Sequence, residues 1–118
     1  MCARDDSAAA ERWQVIPSGE RVEAAASAFR LLGDPTRLRI LWLLCGGETD
    51  VTAVTRKVGA ARPAVSQHLA KLRLSGLVVT RREGRRVLYQ ASGAHVRRLV
   101  AEAFESAGHR ITGRPDHL

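Results

Sequence analysis

Ala61-Arg62-Pro63-Ala64-Val65-Ser66-Gln67-His68-Leu69-Ala70-Lys71 is the stretch from which the fold of this 118-residue chain is read. Proline suits the first turn of a helix, where its missing N–H would have had no partner, so a helix is predicted to begin near Arg62. Val65, Leu69 and Leu72 then fall at i, i+4 and i+7 and make one apolar stripe, while Ser66, Gln67, Ala70 and Lys71 face the other way. That outward face is small, amide-bearing and basic. In a DNA major groove, glutamine pairs bidentately with adenine, serine donates or accepts, and lysine reaches a phosphate or guanine. An ordinary surface helix is also polar outside, so the neighbouring segments decide.

Just upstream, Asp50 is placed to cap a short helix, Val51 to Val58, with Val51, Val54 and Val58 turned inward. Gly59-Ala60-Ala61 is the turn between the two helices, which gives a helix-turn-helix pattern. Downstream, Gly76 stops the second helix. Leu77-Val78-Val79-Thr80-Arg81-Arg82 and Arg86-Val87-Leu88-Tyr89-Gln90 are β-rich runs separated by Glu83-Gly84-Arg85, which predicts a hairpin with glycine supplying the positive φ. Arg81, Arg82, Arg85 and Arg86 crowd its tip. A hairpin that only completed a core would not need them there, whereas a wing lying along a phosphate backbone would. Arg62, Ser66, Gln67 and Lys71, with these four arginines, are therefore the candidate DNA-binding residues.

Further out the periodicity is helical on both sides. Val22, Ala25, Ala26, Phe29 and Leu32 recur at three and four over Gly19 to Leu32. Asp34-Pro35-Thr36-Arg37 is a strong helix start, and Leu38, Ile40, Leu41, Leu43 and Leu44 then fill most of the circumference, so this helix should be the most buried. Cys45 at its end reads as a small buried hydrophobe rather than a reactive thiol. Ser92 is placed to cap a last helix from Ala94 to about Ala107, with Val96, Leu99, Val100, Ala103, Phe104 and Ala107 as its apolar stripe. Residues 1–18 show no sustained period and are expected to be a loosely ordered arm. The domain spans 19–107, and 108–118 is a C-terminal tail. The expected fold is mainly α (α+β), a winged helix-turn-helix of about five helices with one β-hairpin wing. Homodimerisation is expected through the first and last helices, because a chain this small cannot cover both stripes itself.

Composition agrees and excludes other classes. Hydrophobic content is 45% with only 4% aromatic, which favours small packed helices and disfavours base stacking on single strands. The net charge of +7 is local: residues 56–98 hold eleven Arg or Lys against one acid, whereas 1–50 hold six against eight. That surplus encloses the candidate helix and wing, and double-stranded DNA is the partner it fits. Cys2 and Cys45 form no disulfide framework and no CxxC pair, and no run approaches a membrane span, so a cytoplasmic protein is expected. No Ser/His/Asp set, glycine-rich phosphate loop or carboxylate cluster appears, so an enzyme is not expected.

Leu31-Leu32-Gly33-Asp34-Pro35-Thr36-Arg37-Leu38-Arg39-Ile40-Leu41, then Ala64-Val65-Ser66-Gln67-His68-Leu69, then Arg82-Glu83-Gly84-Arg85-Arg86-Val87-Leu88-Tyr89, together resemble the ArsR/SmtB family of bacterial metal-responsive repressors. The resemblance implies a dimeric winged-helix protein on operator DNA, with a metal ion or another inducer as effector. It places Ser66 and Gln67 at bases and the wing arginines at phosphates. One family sensor site is a Cys-x-Cys motif; Asp50 and Thr52 stand there, which removes arsenite or cadmium sensing at that place. A second lies on the last helix across the dimer. His95 matches its histidine, Gly93 replaces its acid, Ser106 stands at one distal position, and His109 matches the other. With His117 from the tail, these histidines imply nickel or cobalt, with zinc as a third candidate. The alternatives are a regulator of the same fold without a metal, redox-responsive at Cys45 or constitutive, and a protein-interaction module.

Overall fold

The computed structural model describes residues 6–113 of the chain. In chain order the elements are α1 (Asp6–Gln14), α2 (Gly19–Leu32), α3 (Pro35–Cys45), α4 (Val51–Val58), α5 (Arg62–Leu74), β1 (Val78–Glu83), β2 (Arg86–Ala91) and α6 (Ala94–Thr112). Local chemistry sets most of these boundaries. Ser18 accepts from the Arg21 N–H at the start of α2, Asp34 from Arg37 at 2.9 Å, and Asp50 from Ala53 at 2.9 Å. Pro35 and Pro63 occupy the first turns of α3 and α5. Gly59, with φ of 74°, closes α4 in the left-handed conformation and turns the chain into α5.

The core is small and wholly aliphatic. Ile40, Leu41 and Leu44 of α3 meet Val54 of α4, Val65, Leu69 and Leu72 of α5, Val78 of β1, Ala91 of β2 and Val100 of α6. The α5 stripe is buried to 0% exposure at all three positions, so the 3.6-residue period there predicted the inward face correctly. Strands β1 and β2 pair antiparallel with Val78 opposite Ala91 and Glu83 opposite Arg86, leaving Gly84-Arg85 as a two-residue turn. Gly84 has φ of 64° and Arg85 does not have positive φ, the pattern of a type II′ turn. The far edge of β2 is also occupied: Thr49 donates to the Tyr89 carbonyl at 3.0 Å and accepts from its N–H at 2.8 Å. The wing is thereby fastened to the loop before α4.

Three differences from the sequence expectation have physical causes. A helix, α1, forms inside the N-terminal stretch that lacks an apolar period; Ala8-Ala9-Ala10 and the charged residues around it supply helix propensity without a face to bury. Ser92 does not cap α6. Gly93 occupies the cap position without a side-chain bond, and the Ser92 N–H instead donates to the Leu77 carbonyl at 3.0 Å, closing the end of the hairpin. Finally, α6 runs five residues past Ala107 to Thr112, so His109 is helical.

Helices α2 and α6 are sparsely covered. No residue of α2 is buried, and Val100 is the only buried residue of α6. Phe29 is 62% exposed, and Trp42 and Phe104, with ring centroids 4.9 Å apart, remain 49% and 39% exposed. Among the described residues no helix is long and apolar enough to cross a membrane.

Candidate nucleic-acid interface

The outward face of α5 follows from its inward one. With Val65, Leu69 and Leu72 in the core, Ser66, Gln67, Ala70 and Lys71 are exposed. None of them is held in a side-chain hydrogen bond or ion pair among the described residues. The first turn of α5 has no side-chain cap, because Ala61 stands at the cap position. Arg62 is exposed and donates to Thr52 Oγ1 on α4 at 2.9 Å, which orients its guanidinium across the turn.

His68 is different. It is half-buried, its Nδ1 lies 3.4 Å from Arg37 Nη1, and its Nε2 lies 3.8 Å from Asp34 Oδ2. An arginine only donates, so Nδ1 accepts and the neutral ring carries its proton on Nε2, towards the carboxylate. Arg37 Nε also donates to the Leu31 carbonyl at 2.8 Å. One arginine thus joins the end of α2, the start of α3 and the middle of α5. The Asp34 carboxyl is held below the usual carboxylate range, chiefly by the Arg37 backbone N–H and with help from the Arg37 charge.

The four wing arginines divide into two kinds. Arg81 Nε lies 3.0 Å from both carboxylate oxygens of Glu48, and its Nη2 lies 3.3 Å from Glu83. Arg86 lies 3.1 Å from Asp50 Oδ2 and 3.4 Å from Glu83 Oε1. Arg82 and Arg85 are exposed and have no protein partner among the described residues. Sequence reasoning did not foresee these pairings, since Glu48 and Arg81 are 33 residues apart and nothing local signals that they meet. Two clefts flank the wing. One is lined by Thr52, Arg62, Arg85 and Arg86, the other by Arg73, Arg81 and Arg82. Recognition-helix start and wing tip therefore border the same basic cleft.

The candidate metal residues are not gathered in one protomer. His95 is exposed at the start of α6, where its Nδ1 lies 3.1 Å from Arg98 Nη2. His109 is half-buried fourteen residues further on, about 21 Å along a straight helix at ~1.5 Å per residue. No group of three or more His, Cys, Asp or Glu able to hold a metal exists among the described residues. His117 lies outside them.

A helix-turn-helix whose second helix exposes Ser66 and Gln67, followed by an arginine-tipped hairpin, defines a winged-helix DNA-binding regulator. The chain belongs to the arsR family of bacterial regulatory proteins, whose model matches residues 34–80. It is 43% identical over 98 residues, 83% of this chain and 75% of the relative, to the HTH-type transcriptional regulator KmtR of Mycobacterium tuberculosis. With the regulator NmtR of the same organism it shares 38% identity over 77% of this chain and 76% of the relative. Among solved structures, the homodimeric winged helix-turn-helix DNA-binding domain of a possible ArsR-family regulator from Mycobacterium bovis superposes with a TM-score of 0.74. That match covers 100% of each chain at 30% identity. NolR from Sinorhizobium fredii gives 0.66 at 34% identity, over 86% of this chain and 100% of that one.

Proposed function

We propose that the chain works as a homodimer on operator DNA and that a metal ion, nickel or cobalt, sets its operator affinity. The observation that carries the DNA-reading assignment is the joint placement of an exposed, unengaged Ser66-Gln67 pair on α5 and a basic cleft shared by the α5 start and the wing tip. Gln67 and Ser66 read base edges. Arg62, Lys71, Arg82 and Arg85 contact phosphates, and Arg81 and Arg86 reach them only by leaving carboxylates.

The dimer reading is supported by the apolar faces that one protomer leaves open on α2 and α6, and by the homodimeric state of the Mycobacterium bovis structure. Symmetry would then present two α5 helices to two half-sites.

The metal reading is supported by the chemistry of the donors. His95 and His109 are both imidazole donors, a ligand type that suits nickel, cobalt or zinc. One protomer cannot close the site, so antiparallel α6 helices would have to bring His95 of one protomer to His109 of the other, with His117 as a further donor. Partial burial raises the Cys45 thiol above the ordinary range, which disfavours the redox alternative at that residue.

The test is a nickel and cobalt titration of the purified protein, run in parallel with binding to the DNA upstream of its own gene. Tight binding at one metal per half-dimer that shifts DNA affinity is expected, and His95→Ala is expected to abolish both. Unchanged isotherms in His95→Ala would remove the proposed site, because binding must distinguish two DNA-affinity states through it.

A further inference from the structure

We propose that Glu48 and Glu83, together with Asp50, are affinity-limiting residues of the DNA interface: they hold Arg81 and Arg86 in internal ion pairs and keep two guanidinium groups off the phosphate backbone. The inference rests on the DNA-binding reading above.

The basic stretch 56–98 contains one acid, Glu83, and two more, Glu48 and Asp50, precede it closely. The fold brings all three to the wing. Arg81 presents its Nε to both oxygens of Glu48 at 3.0 Å, and Nη2 also approaches Glu83 at 3.3 Å. Arg86 meets Asp50 through Nε at 3.2 Å and Nη2 at 3.1 Å, and meets Glu83 through Nη1 at 3.4 Å. The guanidinium edges that Arg81 closes on Glu48 and Arg86 closes on Asp50 are edges each would present to a phosphate, so these two carboxylates compete with the backbone anion, and Glu83 adds a single-nitrogen contact to both arginines. Arg82 and Arg85, on the same hairpin, have no such partner among the described residues.

These pairs are not needed to place the wing. Val78, Leu88 and Ala91 are buried at 2%, 5% and 2% exposure, and the Thr49–Tyr89 backbone bonds fasten β2 to the loop before α4. The arginines themselves are solvent-facing, with side-chain exposures of 53% and 56%, where ion pairs contribute little to stability. What the acids change is charge. The Glu48 carboxyl lies below the usual range because Arg81 hydrogen-bonds it, so it stays ionised at neutral pH. An arginine already matched by a carboxylate displaces no net counterion when DNA arrives, and sequence-independent affinity falls accordingly.

The experiment measures binding of the full chain to a duplex of random sequence by fluorescence anisotropy, from about 50 to about 200 mM salt. Glu48→Gln with Glu83→Gln frees Arg81 and is expected to tighten binding at low salt and steepen log K against log[salt] by about 0.9, one phosphate contact. Glu83→Gln alone, which leaves the Glu48 pair in place, is expected to steepen it less. Arg81→Gln is expected to leave the wild-type slope unchanged but to cancel the gain in the double variant. A slope that is unchanged or shallower in the double variant overturns the proposal, as does a loss of about 0.9 on Arg81→Gln alone. Absence of any duplex binding by the wild type at low salt would instead overturn the DNA-binding reading beneath it.

Discussion

At the level of single residues, the DNA face separates side chains that read from side chains that only hold. Gln67 is exposed and unengaged, so Gln67→Ala is expected to cost ~1 to 3 kcal/mol on the preferred site and nothing on a random duplex. Arg82→Ala with Arg85→Ala should weaken all duplexes alike and lower the salt slope by about 0.9 per arginine. Competition binding against both duplexes distinguishes the two outcomes. His68 belongs to the holding class: it sits between Arg37 and Asp34 and locks α5 to the start of α3. Three carboxyls, Asp34, Glu48 and Asp50, are held below their ordinary values, Asp34 and Asp50 mainly by helix-cap N–H groups and Glu48 by Arg81. A carboxyl whose value is lower folded than unfolded stabilises the fold above the unfolded value, ~4, and loses that contribution as pH falls through the folded one. Urea midpoints should therefore be insensitive to these groups near neutrality and decline below about pH 4, with a shallower acid limb in Asp34→Asn, which keeps the cap but not the charge.

Among the elements, α5 carries two faces whose requirements are independent. Its inward side fixes the helix in the core, and Leu69 at 0% exposure is central to it. Leu69→Ala is expected to destabilise the domain by about 2 to 5 kcal/mol, measured by denaturant unfolding, without changing which DNA the surviving folded protein prefers. Helix α4, α5 and the hairpin were legible in the sequence nearly to the residue. The signals there are local: an Asp cap, a proline in the first turn, glycines at positive φ, and an apolar period of three to four. For α6 the start at Ala94 was legible, but its cap and its C-terminal end were not. Ser92 had the right side chain for a cap, but its backbone was required to close the hairpin on Leu77, and tertiary hydrogen bonding overrode the local preference.

For the molecule as a whole, the uncovered surfaces of α2 and α6 dominate. Val22 and Phe29 on α2 and Trp42 and Phe104 at the α3–α6 junction are exposed at 44%, 62%, 49% and 39%. A helix that buries only Val100 leaves most of its apolar stripe uncovered, and a second protomer is the natural cover. Phe29→Asp with Phe104→Asp is expected to shift the protein to monomer in sedimentation velocity and to weaken operator binding strongly, because one α5 then addresses one half-site.

The sequence alone was sufficient for the winged helix-turn-helix, for the inward and outward faces of α5, and for the confinement of positive charge to residues 56–98, because periods, caps and turn glycines act over a few residues. It did not reveal that Arg81 and Arg86 are matched by Glu48, Asp50 and Glu83 while Arg82 and Arg85 are not. It also did not reveal that His68 is held by Arg37 and Asp34, or that α6 continues through His109. The pairings with Glu48, Asp50 and His68 join residues more than thirty positions apart, and only the packing of α3, α4, α5 and the hairpin around one aliphatic core brings those groups within reach of one another.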